Sequence, residues 1–143
     1  MTIFDFIKGI DPEIELEVAD HFCADVDKKI VFVGTEDEPE AEELMHEFVK
    51  EEFGVEMDNV LISLLHEVGH IMTQNDEELR DRSILDVVLQ LNWTDSDNDI
   101  DEDFEKYNNL YFRLPSEYQA TEWAANYYRE HKELCDEFVR EME

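Results

Sequence analysis

The run His66-Glu67-Val68-Gly69-His70 carries the most specific chemistry in the chain. Two histidines four apart lie one above the other on a single face of an α-helix, so both imidazoles can reach one metal ion. Zinc takes neutral histidine nitrogen readily, and H-E-x-x-H is a spacing that holds it. Glu67 follows the first histidine and so sits beside the ion instead of directly on it. From there it can accept the proton of an attacking water, the division of labour in H-E-x-x-H hydrolases. Val60, Leu61, Leu64, Leu65, Val68, Ile71 and Met72 make a wide apolar surface around the motif, so its helix is expected to be buried. The plainer alternative is a core helix whose histidines only hydrogen-bond to neighbours. The apolar setting favours the metal reading, which then needs a third ligand.

Zinc in a hydrolase has three protein ligands and one open position. The remaining histidines are His21, His46 and His131, and none completes H-E-x-x-H-x-x-G-x-x-H, because Asn75, Asp76 and Glu77 follow at that distance. A carboxylate is left. Glu117 has the best setting, since it opens a helix whose next inward positions, Ala120 and Ala124, are small enough for close approach to the metal helix. Glu122 competes but lies five residues on, on a different face. The helix dipole alone also favours a glutamate at a helix start, which is the alternative account of Glu117.

The elements that must position these residues can be read in order. Phe4-Asp5-Phe6-Ile7 is a short helix or an arm, and Asp11-Pro12 a turn. Ile14, Leu16 and Val18 alternate with glutamates at the period of a half-buried strand. Ile30-Val31-Phe32-Val33, ending at Gly34, is a second strand rich in β-branched residues. Ala41, Leu44, Met45, Phe48 and Val49 fall at helical spacing up to about Phe53, where Gly54 stops the helix. Asp58 caps the metal helix, which runs to Met72 or Thr73. A further helix is expected from Asp76 to Leu91. The acidic stretch from Thr94 to Asp103 resembles a calcium loop in composition only, because Ile100 stands where an EF-hand needs glycine and Lys106 where it needs glutamate. Ser116-Glu117-Tyr118-Gln119 has the form of a capping box with Ser116 as cap, and that helix continues to about Glu130. Leu134, Cys135, Phe138, Val139 and Met142 mark a last amphipathic segment.

At 143 residues with 43% hydrophobic content, the chain fits one domain, residues 1–143, with a real core. Met1-Thr2-Ile3-Phe4-Asp5 lacks the basic start and long apolar segment of a secretory signal, and no run reaches the length of a membrane span. A soluble cytoplasmic protein is expected. Cys23 and Cys135 form no C-x-x-C pair and are expected to be buried thiols. Forty acidic residues against eleven basic give a formal net charge of −29. Binding to nucleic acid through phosphates needs clustered Lys and Arg, so it is not expected. The charge instead suits solubility, high salt, a basic protein partner, or imitation of nucleic acid.

His66-Glu67-Val68-Gly69-His70, followed by Glu117-Tyr118-Gln119-Ala120-Thr121-Glu122-Trp123-Ala124-Ala125, resembles the ImmA/IrrE-type metallopeptidase family. That family pairs an H-E-x-G-H helix with a later E-x-x-A-x-x-aromatic-A helix. The resemblance spans roughly the Ile30 strand to Tyr128, with two short motifs as its specific part. It implies an α+β fold: a mostly helical, zincin-like metallopeptidase domain with a small N-terminal β-sheet packed on the H-E-x-x-H helix. It implies Zn²⁺ held by His66, His70 and Glu117, with Glu67 catalytic. It also implies a regulatory peptidase of narrow specificity, since family members often serve phages and mobile elements and act on transcriptional repressors. The chain departs from the pattern at Asn126-Tyr127-Tyr128-Arg129-Glu130, where the family continues into leucines and Met-Pro, and in its acidity.

In such an enzyme a second donor supports the developing oxyanion. His131, Tyr118, Tyr127, Tyr128 and Arg113 are all available, and the sequence leaves the choice open. A rival reading from another class is an acidic, non-catalytic interaction protein on a zinc-bound metallopeptidase scaffold, acting as a nucleic-acid mimic or inhibitor.

Overall fold

The computed structural model describes residues 1–73 and 111–142. The helix expected from Asp76 to Leu91 and the acidic stretch from Thr94 to Asp103 lie outside the described residues.

The chain opens with α1 (Ile3–Ile10), fixed by a capping box: the Asp5 N–H donates to the Thr2 hydroxyl at 3.1 Å, and the Thr2 N–H to the Asp5 carboxylate at 3.2 Å. This helix buries Phe6 and Ile7, and Phe6 stacks on Phe138 with ring centroids 4.3 Å apart. Three strands follow: β1 (Glu15–Ala19), β2 (Cys23–Asp25) and β3 (Ile30–Gly34). They form one sheet in the order β1-β3-β2. Parallel β1 sets Leu16 opposite Val31, and antiparallel β2 sets Ala24 opposite Val31 from the other side. The central strand is therefore β3, and Val31 on it is fully buried.

Helix α2 (Pro39–Phe53) starts on a proline, whose fixed φ suits a first helical position, and ends at Gly54 in the left-handed conformation with φ 68°. Helix α3 (Asn59–Met72) carries the histidine motif. The Asp58 carboxylate caps it by accepting from the N–H groups of Val60 and Leu61 at 2.9 and 3.4 Å. Helix α4 (Pro115–Glu130) packs along α3, and α5 (Lys132–Met142) closes the core with Cys135 and Phe138. The sheet lies against α3 through β2 and β3. The described residues thus form an α+β arrangement, mostly helical, with a small N-terminal sheet against the motif helix.

Several expectations need correction. Val60 and Met72 each remain 39% exposed, because they turn toward the outer side of α3, while Leu61, Leu64, Leu65, Val68 and Ile71 form the buried stripe. Val18 is exposed because it lies on edge strand β1, past the cover that α3 gives to β2 and β3. Ser116 does not cap α4. Pro115 occupies the first helical position and Leu114 becomes the cap residue, with no side-chain cap bond, so Ser116 falls inside the first turn. Cys135 is buried as expected, but Cys23 is exposed on edge strand β2. That strand, only three residues long, has no alternation by which to recognise it.

Candidate metal centre

The two histidines of α3 meet the start of α4 because the helices approach closely. A Cβ on Gly69 would stand 3.0 Å from the Ala120 Cα and closer still to its carbonyl oxygen, so only glycine permits this crossing. Ala120 and Ala124 are both buried there, as their small size requires. Glu117, one turn earlier on α4, is brought over the motif.

Three side-chain atoms then converge. His66 Nε2 lies 2.8 Å and His70 Nε2 2.9 Å from Glu117 Oε2, and the two Nε2 atoms are 3.1 Å apart. The side chains keep 7, 15 and 12% exposure for His66, His70 and Glu117, so the cluster is shielded yet open to a small ion and its water. The donor set fits a metal ion, because two imidazole nitrogens and one carboxylate oxygen are ligand types that zinc accepts and all three lie within reach of one point. No other cluster of three such ligands occurs among the described residues. Glu122 is exposed on another face of α4, as expected of the rejected competitor.

A second layer orients these atoms, and sequence reasoning missed it. The Thr121 hydroxyl donates to the Glu117 carbonyl at 2.9 Å and lies 2.9 Å from His66 Nδ1. With its proton committed, Thr121 must accept from Nδ1–H, which leaves the His66 Nε2 lone pair aimed at the centre. Tyr111 donates its hydroxyl to Glu117 Oε1 at 2.6 Å, holding the carboxylate so that Oε2 faces the imidazoles. Thr121 was legible as an inward position one turn after Glu117. Tyr111 precedes the helix and gave no signal.

The charges support one another. Burial opposes ionisation of Glu117, but hydrogen bonds from His66 and His70 outweigh it and hold the carboxyl well below the usual carboxylate range. Burial likewise opposes a charge on His66, and Glu117 reverses this, so its pKa is raised. Glu67 differs. Burial pushes its carboxyl up, although both imidazoles pull the other way. A carboxyl raised toward neutrality is suited to taking and returning a proton.

Glu67 and His66 line a cleft of about 210 Å³ together with Ser63, Tyr111 and Phe112. The five residues considered as oxyanion donors do not line it. Tyr118 donates to Glu52 at 2.9 Å, Arg113 pairs with the same glutamate, and Tyr128 donates to Asp136 at 2.8 Å. Tyr127 stacks between Trp123 and His131. The phenol that does face the cleft is Tyr111.

No helix among the described residues is long and apolar enough to cross a membrane. Comparison with family models, with curated proteins and with solved structures gives no match to this chain.

Proposed function

We propose that the chain is a zinc-dependent metallopeptidase of narrow specificity, acting on a regulatory protein such as a transcriptional repressor. The observation that carries this reading is the convergence of His66 Nε2, His70 Nε2 and Glu117 Oε2 within 3.1 Å, beside a cleft lined by Glu67. Ligand atoms around a tetrahedral zinc lie roughly 3.4 Å apart, a few tenths of an ångström wider than these separations. The likeness of the two motifs to the ImmA/IrrE-type peptidases points the same way.

His66, His70 and Glu117 would hold the ion, which when bound would acidify a water and polarise a carbonyl. Glu67 takes the proton of the attacking water and returns it to the leaving amine, a task its raised pKa suits. Tyr111 keeps Glu117 in place by donating its hydroxyl proton to Oε1, and it stands in the same cleft. Thr121 fixes the His66 tautomer.

Metal analysis of the purified protein tests this reading, together with proteolysis of candidate repressors. Wild type should carry one zinc, His70→Ala and Glu117→Ala should lose it, and Glu67→Gln should keep zinc while losing cleavage. Equal zinc in all four proteins, or full cleavage by Glu67→Gln, overturns the assignment. The net charge of −29 favours a second reading, an acidic inhibitor that binds a basic protein without cutting it. Binding that survives Glu67→Gln and collapses in high salt would select that reading, because screened charges would carry the interaction.

A further inference from the structure

The cleft that Glu67 lines is acidic at its mouth and apolar along its walls. Glu36 and Glu38 are exposed, Glu42 is half-buried, and all three line the space. Phe112 is buried, while Phe22 and Met45 are half-buried along the same walls. No lysine or arginine lines the cleft among the described residues. His66 lines the cleft beside Glu67, and at the acidic mouth stands His21, whose Nδ1 lies 2.8 Å from Glu38 and whose Nε2 lies 3.6 Å from Glu36. The mouth therefore already seats one imidazole between two carboxylates.

This mouth is held by backbone. The N–H groups of Thr35 and Glu36 donate to the carbonyls of Ala19 and Asp20, each at 3.0 Å, extending the β1–β3 ladder up to Glu36. A Cβ on Gly34 would stand 2.7 Å from the Phe22 backbone nitrogen and 2.9 Å from its ring. Glycine thus lets the segment with His21 and Phe22 fold over the end of β3. A further feature is that Glu67, half-buried and lining the same cleft, has no hydrogen bond or ion pair among the described residues.

Resting on the peptidase reading, we propose that this cleft is a specificity subsite for a lysine or arginine side chain of the polypeptide substrate. The aliphatic stem lies along Phe22 and Met45, and the cationic head meets Glu36, Glu38 and Glu42. An apolar side chain of equal length would desolvate these carboxylates without adding a cation to the one imidazole already beside them, and an acidic one would be repelled.

The test uses blocked pentapeptides Ala-Ala-X-Ala-Ala, with X lysine, norleucine or glutamate, titrated calorimetrically into the zinc-loaded protein. Three proteins are compared: wild type, the cleft variant Glu36→Gln/Glu38→Gln/Glu42→Gln, and a control variant Glu51→Gln/Glu130→Gln/Glu137→Gln with the same change in net charge. The lysine peptide should bind wild type about tenfold more tightly than the norleucine peptide, a difference of about 1.4 kcal/mol. That preference should vanish in the cleft variant and persist in the control. Equal binding of the two peptides, a preference that survives in the cleft variant, or an equal fall in both variants overturns the subsite. Mass spectrometry of the same mixtures separates the two readings. A lysine peptide bound selectively but never cut leaves the subsite standing without the peptidase, and cutting without preference for lysine does the reverse.

Discussion

Gly69 on α3 sits directly against the backbone of Ala120 on α4, and this contact sets how near Glu117 comes to the two histidines. Gly69→Ala gains helix propensity but forces the two backbones apart. The net result should be a loss of about 1–3 kcal/mol in stability, as for other overpacked sites. Because Glu117 moves with α4, zinc affinity should fall as well. Chemical denaturation and a competition assay against a zinc chelator measure both. A Gly69→Ala protein as stable as wild type, with unchanged affinity, would show that the helices are not in contact there.

Thr121 and Tyr111 touch ligands instead of the ion. Thr121→Val keeps the shape of the side chain and removes the group that receives His66 Nδ1–H. Tyr111→Phe removes the donor to Glu117 Oε1. Each should weaken zinc binding by about 10–100-fold without abolishing it. Chelator competition reads the loss, and wild-type affinity in both variants would contradict the orienting role.

Zinc affinity should rise steeply with pH. In the metal-free protein burial works against a charge on His66, but Glu117 more than offsets it, so the imidazole keeps its proton to higher pH than an ordinary histidine. That proton must leave before the nitrogen can bind a metal. Affinity should therefore still be climbing above the pH at which an ordinary histidine has lost its proton. Calorimetry in buffers of different ionisation enthalpy should also show proton release on binding. A flat affinity profile with no proton release would refute the coupling.

Alkaline pH should destabilise the fold through Tyr128. Burial and its hydrogen bond to Asp136 push the phenol up to about 12. The unfolded chain ionises it near pH 10 while the folded one does not, so the unfolded state binds fewer protons above that point. The contribution of Tyr128 to stability is thus complete below about pH 10 and is lost as pH climbs toward 12. Tyr128→Phe should flatten part of the decline in denaturation midpoint between these values. An unchanged slope would place the phenol in water.

The centre was legible where chemistry and local geometry coincide. The i, i+4 spacing of His66 and His70 follows from helix geometry alone, and Ala120 and Ala124 announce a close helix crossing. Asp58 and Gly54 mark helix ends by their own preferences, and both stand where expected. Sequence reasoning failed where the deciding partner is distant. Tyr111 reaches Glu117 across Pro115, and nothing in its neighbours announces that. Strand β2 exists because β3 offers it hydrogen bonds, since Cys23-Ala24-Asp25 has no strand character of its own. Ser116 looked like a cap until the proline before it took the first helical position.

The Thr121 hydroxyl serves His66 on one helix and the carbonyl of Glu117 on the other, joining positions separated by 55 and 4 residues of chain. An ion bound at this point would act as a clasp between two distant stretches of polypeptide, so its occupancy and the docking of α4 become one thermodynamic event. Heat resistance should then track free zinc concentration logarithmically, as linkage requires of any ligand that binds only the folded state. Withholding the ion would thereby loosen the protein as well as empty the centre.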